Sequence, residues 1–283
     1  MIPLAFDYEI AESVDHAVEL LKENGEDAKL LAGGHSLLPI MKLRLAAPSV
    51  LVDLGRVDEL KYVRDEGEHI AIGAMTRHTE VERDQLLHEQ CGLLAYTTSL
   101  VGDPQVRHRG TIGGSISHGD AASDLPSALL ALEATFVLKG SGGERRVAAA
   151  DFFKDYLQTD LAPDEVLTEI QVPKLGPGTG WSYRKFSRRA QDWAVVGVAA
   201  VIERSNGTIS TARIGLTNMG STPLRATAAE GALSGADAGS VAEATQNADE
   251  GTSPAADIAA SSEYRRHLAR VLTRRAVEEA LSR

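Results

Sequence analysis

Two glycine pairs flanked by small polar residues are the features of this sequence best suited to bind a ligand. The first pair lies in Ala32-Gly33-Gly34-His35-Ser36-Leu37, and the second lies in Thr111-Ile112-Gly113-Gly114-Ser115. Adjacent glycines leave backbone N–H groups accessible, because no Cβ shields them. A turn of this kind before a helix is suited to bind an anion. We therefore predict that the two loops face each other across one elongated ligand that carries phosphate.

A simple tight turn is the alternative interpretation of each glycine pair. The first loop has neither the Gly-Lys-Ser/Thr ending of a P-loop nor the Gly-x-Gly-x-x-Gly spacing of a nicotinamide-binding Rossmann unit, so these common nucleotide-binding folds are disfavoured. One glycine pair alone is more often a turn than a binding site. The presence of two such loops, each with hydroxyl residues, makes ligand binding and simple turns comparable interpretations.

Composition and charge exclude several classes of protein. The chain has 283 residues and a net charge of -11, which argues against a general nucleic-acid binder or a binder of anionic membranes. Its single cysteine, Cys91, can form neither an intrachain disulfide nor an iron–sulfur cluster held by this chain alone. No long apolar run is present, and Asp7 and Glu9 already occur near the start, so no signal peptide is expected. We predict a cytoplasmic protein.

The elements that must position the first loop form a predicted β-α-β-α-β unit over residues 1–55. Ser13 is a candidate helix N-cap and Gly25 a candidate C-cap. Residues 56–175 have the pattern of shorter strands and helices and contain the second glycine loop. In this region, Asp103-Pro104 is expected to end a helix.

A third unit is predicted over residues 176–283. The stretch from Lys174 to Gly180 is rich in glycine and proline and marks the boundary. Antiparallel strands follow, with Asn206-Gly207 as a hairpin turn, and helices close the chain. The sequence therefore predicts a mixed α and β fold, in which an N-terminal part of two lobes precedes a C-terminal sheet covered by helices.

The two glycine loops, taken with Asp103-Pro104-Gln105-Val106-Arg107, also resemble a known family. This is the FAD-binding medium subunit of molybdenum hydroxylases, the xanthine dehydrogenase and aerobic carbon monoxide dehydrogenase family. The resemblance covers the whole chain, including Gly215-Leu216-Thr217-Asn218, and the stretch from Gly34 to Lys42 is especially similar to the carbon monoxide dehydrogenase branch.

The resemblance implies an α+β fold with a two-lobed FAD-binding domain of the vanillyl-alcohol-oxidase (PCMH) type. Its lobes would be residues 1–55 and 56–175, and residues 176–283 would form the C-terminal flavoprotein domain. FAD would lie extended between the lobes. The implied cofactor-binding residues are Ala32, Gly33, Gly34, His35, Ser36, Leu37, Thr111, Ile112, Gly113, Gly114, Ser115, Asp124, Leu167, Lys185 and Trp193.

Four of these residues have ordinary structural alternatives. By the resemblance, Asp124 would contact cofactor hydroxyl groups, but it is also a candidate N-cap for the helix that follows. Leu167 would lie next to the cofactor or be plain core. Lys185 would lie beside the isoalloxazine and stabilise the reduced flavin, or it would be a solvated lysine on a strand. Trp193 would stack near the ring or be a buried core tryptophan.

The function that the resemblance implies is electron transfer without a catalytic side chain. A large molybdenum subunit and a small subunit with [2Fe-2S] clusters would be the partners, in a dimer of heterotrimers. Electrons would pass through FAD to an external acceptor such as a quinone, a cytochrome, NAD or dioxygen. Partners could bring this cytoplasmic chain to the inner face of the membrane. The alternatives are the medium subunit of a hydroxylase acting on aldehydes, xanthine or N-heterocycles, a stand-alone flavin oxidoreductase, or a scaffold that has lost its cofactor.

Two histidine-containing features carry weaker expectations. His35 and His118 lie on separate loops without companion cysteines, so no metal site is expected. The basic run Arg107-His108-Arg109 is either a docking or cofactor-positioning surface or ordinary solvated charge.

Overall fold

Three main β-sheets organise the protein, and the computed structural model describes all residues from 1 to 283. The first is a parallel sheet of strand order β1-β3-β2. Its elements are β1 (Asp7–Ile10), α1 (Val14–Asn24), β2 (Ala28–Leu31), α2 (Leu37–Lys42) and β3 (Val50–Asp53), with 3-10 turns at Gly25–Asp27 and Asp58–Leu60.

The β-α-β-α-β order predicted for this first part is confirmed, because local signals define its elements. The Ser13 hydroxyl accepts from the His16 N–H at 3.1 Å and caps α1. Gly25 ends the helix with φ +58°. The first glycine loop therefore connects the carboxyl end of β2 to α2.

The second sheet is antiparallel, with strand order β4-β5-β10-β6-β7, and carries most of the helices of the N-terminal part. Its strands are β4 (Val63–Asp65), β5 (His69–Gly73), β6 (Thr135–Gly140), β7 (Gly143–Ala148) and β10 (Val166–Pro173), with a small separate pair, β8 (Phe153–Asp155) and β9 (Gln158–Thr159). The helices are α3 (His78–Arg83), α4 (Gln85–Gln90), α5 (Gly92–Ser99), α6 (Pro104–Arg109), α7 (Ile112–His118), α8 (Asp124–Ala131) and α9 (Ala149–Phe152).

Two helices in this region differ from the sequence-based expectation. Asp103-Pro104 begins a helix as well as following one, because the Asp103 carboxylate accepts from the N–H groups of Gln105 and Val106 and proline occupies the first turn of α6. The second glycine pair lies inside the first turn of α7 and is not a turn before a helix. Thr111 caps that helix by accepting from the Gly114 N–H at 3.1 Å.

The third sheet is antiparallel, with strand order β11-β12-β13-β14. It consists of β11 (Gly180–Phe186), β12 (Val196–Ser205), β13 (Thr208–Thr217) and β14 (Leu224–Arg225), and it is followed by α10 (Thr227–Leu233), α11 (Val241–Ala244) and α12 (Ser262–Ser282). The predicted Asn206-Gly207 turn is confirmed, since both residues have positive φ between β12 and β13.

Strand β12 is buried on both faces and joins two apolar cores. Val198 and Ala200 pack on the side of α12, in a cluster of 23 buried residues. Ala199 and Val201 belong instead to a cluster of 30 buried residues that also contains side chains of α5 and α8. Because successive side chains of a strand point to opposite faces, the third sheet lies between two layers of helices.

Helix α8 lies directly against the third sheet. A Cβ added at Gly215 would lie 2.0 Å from the Ser127 carbonyl oxygen, so β13 tolerates only glycine at this contact. The α+β fold is confirmed, whereas the division into units at residues 55 and 175 stays a prediction. None of the helices combines the length and the apolar character needed to cross a membrane.

Candidate cofactor site

The first glycine loop packs directly against the segment that leads into α7. A Cβ added at Gly33 would lie 2.4 Å from the Arg109 carbonyl oxygen and 2.7 Å from the Gly110 Cα, so only glycine permits this approach. A Cβ added at Gly114 would lie 3.5 Å from the Ala32 Cβ. The fold therefore brings the two glycine loops together.

Consecutive backbone donors of the first loop are unpaired. None of the six N–H groups from Ala32 to Leu37 donates to an acceptor within this chain. Gly34 has φ +75°, a conformation that glycine adopts readily, and five of the six residues are half-buried. A row of free N–H groups in a partly buried turn is suited to bind an anion.

The second loop offers fewer free donors than the sequence suggested. The N–H groups of Ile112 and Gly113 donate to the carbonyls of Thr76 and Ala74, at 3.0 and 2.9 Å. Gly114 donates to the Thr111 hydroxyl, and Ser115 donates to the Thr111 carbonyl. The Ile112 side chain is fully buried in the core. What remains for a ligand is the Thr111 N–H and the half-buried Ser115 hydroxyl, which has no partner in the chain.

Asp124 and Lys185 form a buried ion pair. The Lys185 Nζ lies 2.8 Å from the Asp124 Oδ2, and the two side chains are 7% and 3% exposed. The ammonium also donates to the Leu100 carbonyl oxygen at 3.0 Å. Both alternatives offered above are wrong: Lys185 is not a solvated lysine, and the N-cap position of α8 belongs to Ser123, with Asp124 as the first helical residue.

Helix ends and burial govern the charges of this pair. Leu100 is the C-cap of α5, where a cation is favoured, and Asp124 lies in the first turn of α8, where an anion is favoured. Burial raises the pKa of the Asp124 carboxyl above its ordinary value, while Lys185 and the Tyr183 hydroxyl oppose that rise. The ammonium has three N–H groups and two protein acceptors, so one N–H is left for a ligand.

Leu167 and Trp193 occupy contrasting environments. Leu167 is a 3% exposed core residue of β10, paired with Leu138. Its neighbour Thr168 accepts from the Ala74 N–H, and the Ala74 carbonyl in turn accepts from Gly113. Trp193 is 65% exposed in the hairpin loop between β11 and β12, so the alternative of a buried core tryptophan is wrong.

Asn218 and Tyr183 also belong to this region, although the sequence predicted no site role for either. Asn218 donates its backbone N–H to the Ala121 carbonyl and its side-chain amide to the Ala194 carbonyl, both at 2.8 Å. It thereby ties the loop that carries Trp193 to the connection before α8. Tyr183 donates to the Asp124 Oδ1 at 2.8 Å. The period-2 spacing of Tyr183 and Lys185 on one strand was an available signal.

The basic run before the second loop is partly structural. Arg107 donates to Glu82 at 2.6 Å and to the Val101 carbonyl at 3.0 Å, and its side chain is only 13% exposed. It joins α6 to α3, so for this residue the solvated-charge interpretation is wrong. His108 and Arg109 are exposed. His35 is exposed, and no group of three or more His, Cys, Asp or Glu side chains could hold a metal ion.

His78 is a buried histidine behind the contact between the two loops. A Cβ added at Gly110 would lie 2.8 Å from the His78 Cδ2, and the His78 Nδ1 has no hydrogen-bond partner. Burial, together with the nearby Arg107, lowers the pKa of His78 to about 4. The imidazole is therefore neutral at physiological pH and becomes charged only in acid.

We expect His78 to make the chain less stable in acid. Because the unfolded histidine binds a proton near its ordinary pKa of 6.5 and the folded one only at about 4, the free energy of unfolding falls as the pH is lowered through this interval. The contribution is roughly 3 kcal/mol. Urea unfolding at several pH values should show this slope in the wild type and a shallower slope in His78→Gln. His108→Gln, at an exposed site, should keep the wild-type slope, and an unchanged slope in His78→Gln would contradict the assignment.

Comparison with known proteins identifies the family. Residues 4–175 match the family described as the FAD binding domain in molybdopterin dehydrogenase. The chain belongs to this family of FAD-binding subunits. Residues 181–280 match a second family of the same proteins, the CO dehydrogenase flavoprotein C-terminal domain.

Full-length relatives include proteins that act on different substrates. The chain is 43% identical over 287 residues to the carbon monoxide dehydrogenase medium chain of Hydrogenophaga pseudoflava. This alignment covers 100% of the present chain and 99% of the relative. It is 37% identical to the 6-hydroxypseudooxynicotine dehydrogenase complex subunit alpha of Paenarthrobacter nicotinovorans, over 100% of this chain and 97% of the relative. Such relatives are named as medium chains or subunits of multi-subunit dehydrogenase complexes.

A solved structure shares the same fold along the whole chain. Carbon monoxide dehydrogenase from Hydrogenophaga pseudoflava, in a form that lacks the Mo-pyranopterin moiety, contains a chain of 45% identity with a TM-score of 0.98. The superposition covers 100% of this chain and 99% of that chain.

The residues present fit the FAD that this family binds. A pyrophosphate carries about two negative charges and needs clustered donors, and the unpaired N–H groups of residues 32–37 supply them. The buried Lys185 ammonium adds a positive charge, and one of its N–H groups has no protein acceptor.

Proposed function

We propose that this chain is the FAD-carrying electron-transfer subunit of a molybdenum hydroxylase. In this proposal, a small partner subunit holds [2Fe-2S] clusters and a large one holds the molybdenum cofactor, in a dimer of heterotrimers. Electrons pass from the clusters to this chain and leave it for an external acceptor. The observation that carries the proposal is the row of six unpaired N–H groups in the first loop, in a chain whose family binds FAD.

In this proposal, the two glycine loops, the buried ion pair and Trp193 have separate roles in binding FAD. The N–H groups of Ala32 to Leu37 hold the pyrophosphate, and Thr111 and Ser115 extend this polar surface from the second loop. The chemistry that bound FAD supplies is the storage and release of two electrons. Lys185 places a positive charge where negative charge builds up on reduction, and Asp124 fixes its position. Trp193 covers one side of the ring from the exposed hairpin loop.

Carbon monoxide is the substrate that we propose for the assembled enzyme. The support is the 43% identity to a carbon monoxide dehydrogenase medium chain over the full length. The 37% identity to a subunit of a 6-hydroxypseudooxynicotine dehydrogenase complex favours an N-heterocycle as the second candidate. Because substrate is oxidised at the partner's molybdenum in this proposal, residues of this chain do not select between the two.

Co-expression with candidate large and small subunits of a molybdenum hydroxylase tests the proposal. We expect a complex with a mass of two copies each of a large, a medium and a small subunit, with about one FAD per medium subunit. Reduction of the flavin by carbon monoxide in that complex supports the first candidate, and reduction only by an N-heterocycle supports the second. A chain that stays alone and turns over a substrate by itself would instead support a stand-alone flavin oxidoreductase.

Trp193→Phe should increase the fluorescence of bound flavin with little change in stability. Indole near a flavin quenches its emission, and phenylalanine does not. Since Trp193 is 65% exposed, its replacement should alter the free energy of unfolding by no more than about 0.5 kcal/mol. Flavin fluorescence and urea unfolding check both statements. Trp181→Phe is the control, and equal emission from the two variants would place the flavin away from Trp193.

A further inference from the structure

The buried ion pair is one part of a larger polar network that joins α8 to the third sheet. The Tyr183 hydroxyl lies 2.8 Å from the Asp124 Oδ1 and 3.1 Å from the Thr217 Oγ1. The Thr217 hydroxyl is in turn hydrogen-bonded to Ser127 on α8. Tyr183 is only 1% exposed, and Thr217 and Ser127 are fully buried.

The backbone of β12 leaves room for the tyrosine hydroxyl. Gly197 pairs with Lys185 on one side and with Thr217 on the other. A Cβ added at Gly197 would lie 2.5 Å from the Tyr183 hydroxyl oxygen and 2.9 Å from the Thr217 Oγ1. Any side chain at position 197 would displace the Tyr183 hydroxyl, so the position of this hydroxyl depends on glycine at 197.

The hydrogen bonds from Tyr183 and Lys185 fix the orientation of the Asp124 carboxylate. One oxygen accepts from Tyr183 and the other from Lys185, so the carboxylate cannot rotate without losing a hydrogen bond. Burial raises the pKa of Tyr183 well above its ordinary value, which keeps the hydroxyl a neutral donor. Lys185 and Tyr183 are the titratable groups that contact Asp124.

We propose that Tyr183 is a positioning residue for Lys185. Its hydroxyl holds the Asp124 carboxylate ionised and in a fixed orientation, and Asp124 and the Leu100 carbonyl together leave one ammonium N–H without a protein acceptor. Through Tyr183, the third sheet thereby fixes the position of the positive charge of Lys185 at the flavin. This inference rests on the proposed function, since it concerns the same site.

Tyr183→Phe in full-length, FAD-loaded protein tests the inference. The hydrogen bond from Tyr183 lowers the pKa of Asp124 and burial raises it, so removal of the hydroxyl should raise this pKa further. The midpoint potential of bound FAD is then measured as a function of pH. On the acid side, its slope against pH should become steeper, and this steeper region should begin at a higher pH than in the wild type. The dissociation constant of FAD should rise roughly tenfold, the equivalent of one hydrogen bond to a charged group. Asp124→Asn removes the titrating carboxyl and should abolish the steepening.

Tyr62→Phe is the matched control. Tyr62, the residue before β4, also donates to a carboxylate, the Glu169 Oε2 on β10, at 2.7 Å, but this pair does not contact Lys185. It should leave the potential profile and FAD affinity at wild-type values. Gly197→Ala is the second variant, which displaces the hydroxyl while keeping tyrosine in place, and it should reproduce the effect of Tyr183→Phe.

The outcomes separate this inference from the proposed function. A loss of stability in Tyr183→Phe with an unchanged potential profile and an unchanged FAD affinity would reduce Tyr183 to a structural residue and overturn the inference alone. Failure of the wild-type chain to bind FAD would overturn the proposed function instead.

Discussion

Gly33→Val should abolish FAD binding by the full-length chain. A Cβ at this position meets the Arg109 carbonyl oxygen at 2.4 Å, and a backbone carbonyl cannot rotate aside as a side chain could. The loop must move, and its N–H groups then no longer converge on one anion. Loss of two hydrogen bonds to a charged group costs about 3–6 kcal/mol, which corresponds to a decrease in affinity of at least about a hundredfold. Flavin content and titration with FAD measure this directly.

Two further variants make the Gly33 result interpretable. Gly142→Ala lies in the hairpin between β6 and β7, where an added Cβ meets no atom within 4 Å, so it should bind FAD like the wild type. Gly33→Ala introduces the smallest possible clash and should show a weaker form of the same defect. Thermal unfolding of each variant without FAD separates loss of the site from loss of the fold. Wild-type flavin content in folded Gly33→Val would refute the assignment of the loop.

Local signals in the sequence were sufficient for much of the fold. Ser13 and Gly25 delimit α1, and Asn206-Gly207 joins β12 to β13, because each acts on backbone atoms within a few residues. The proximity of the two glycine loops was also predicted. These features depend on residues that are near in sequence or on a resemblance that spans the chain.

Contacts between distant segments explain what the sequence could not predict. Gly113-Gly114 suggested a turn, since glycine is a poor helix former, but Thr76 and Ala74 accept the N–H groups of Ile112 and Gly113 and support a helix there. The same bonds remove donors that the sequence assigned to the ligand. The environment of Asp124 depends on Lys185, which is 61 residues away, so its N-cap interpretation could be rejected only from the structure.

Lys185→Met should lower the free energy of unfolding by about 3–5 kcal/mol, because it leaves the Asp124 carboxylate buried without its cation. Lys185 lowers the pKa of Asp124 and burial raises it, so without the lysine this pKa should be higher. The folded variant would then bind a proton at Asp124 at a pH where the unfolded chain has released it. A raised folded pKa contributes stability in acid that is lost as the pH rises. The deficit should therefore be larger at neutral pH than near pH 4, as urea unfolding at both values would show.

An exposed pair and a double variant decide whether the deficit arises from buried charge. Lys61→Met breaks the Lys61–Asp58 pair, whose N–O distance is 2.7 Å but whose side chains are 33% and 89% exposed, and it should cost no more than about 1 kcal/mol. Adding Asp124→Leu to Lys185→Met removes the uncompensated carboxylate and should recover part of the lost stability, since replacing both members of a buried pair is less costly than removing one. If the double variant were less stable than Lys185→Met by the full cost of a second independent defect, the two side chains would not act as a pair. The charge offered to the flavin would then have to be assigned to Lys185 without Asp124.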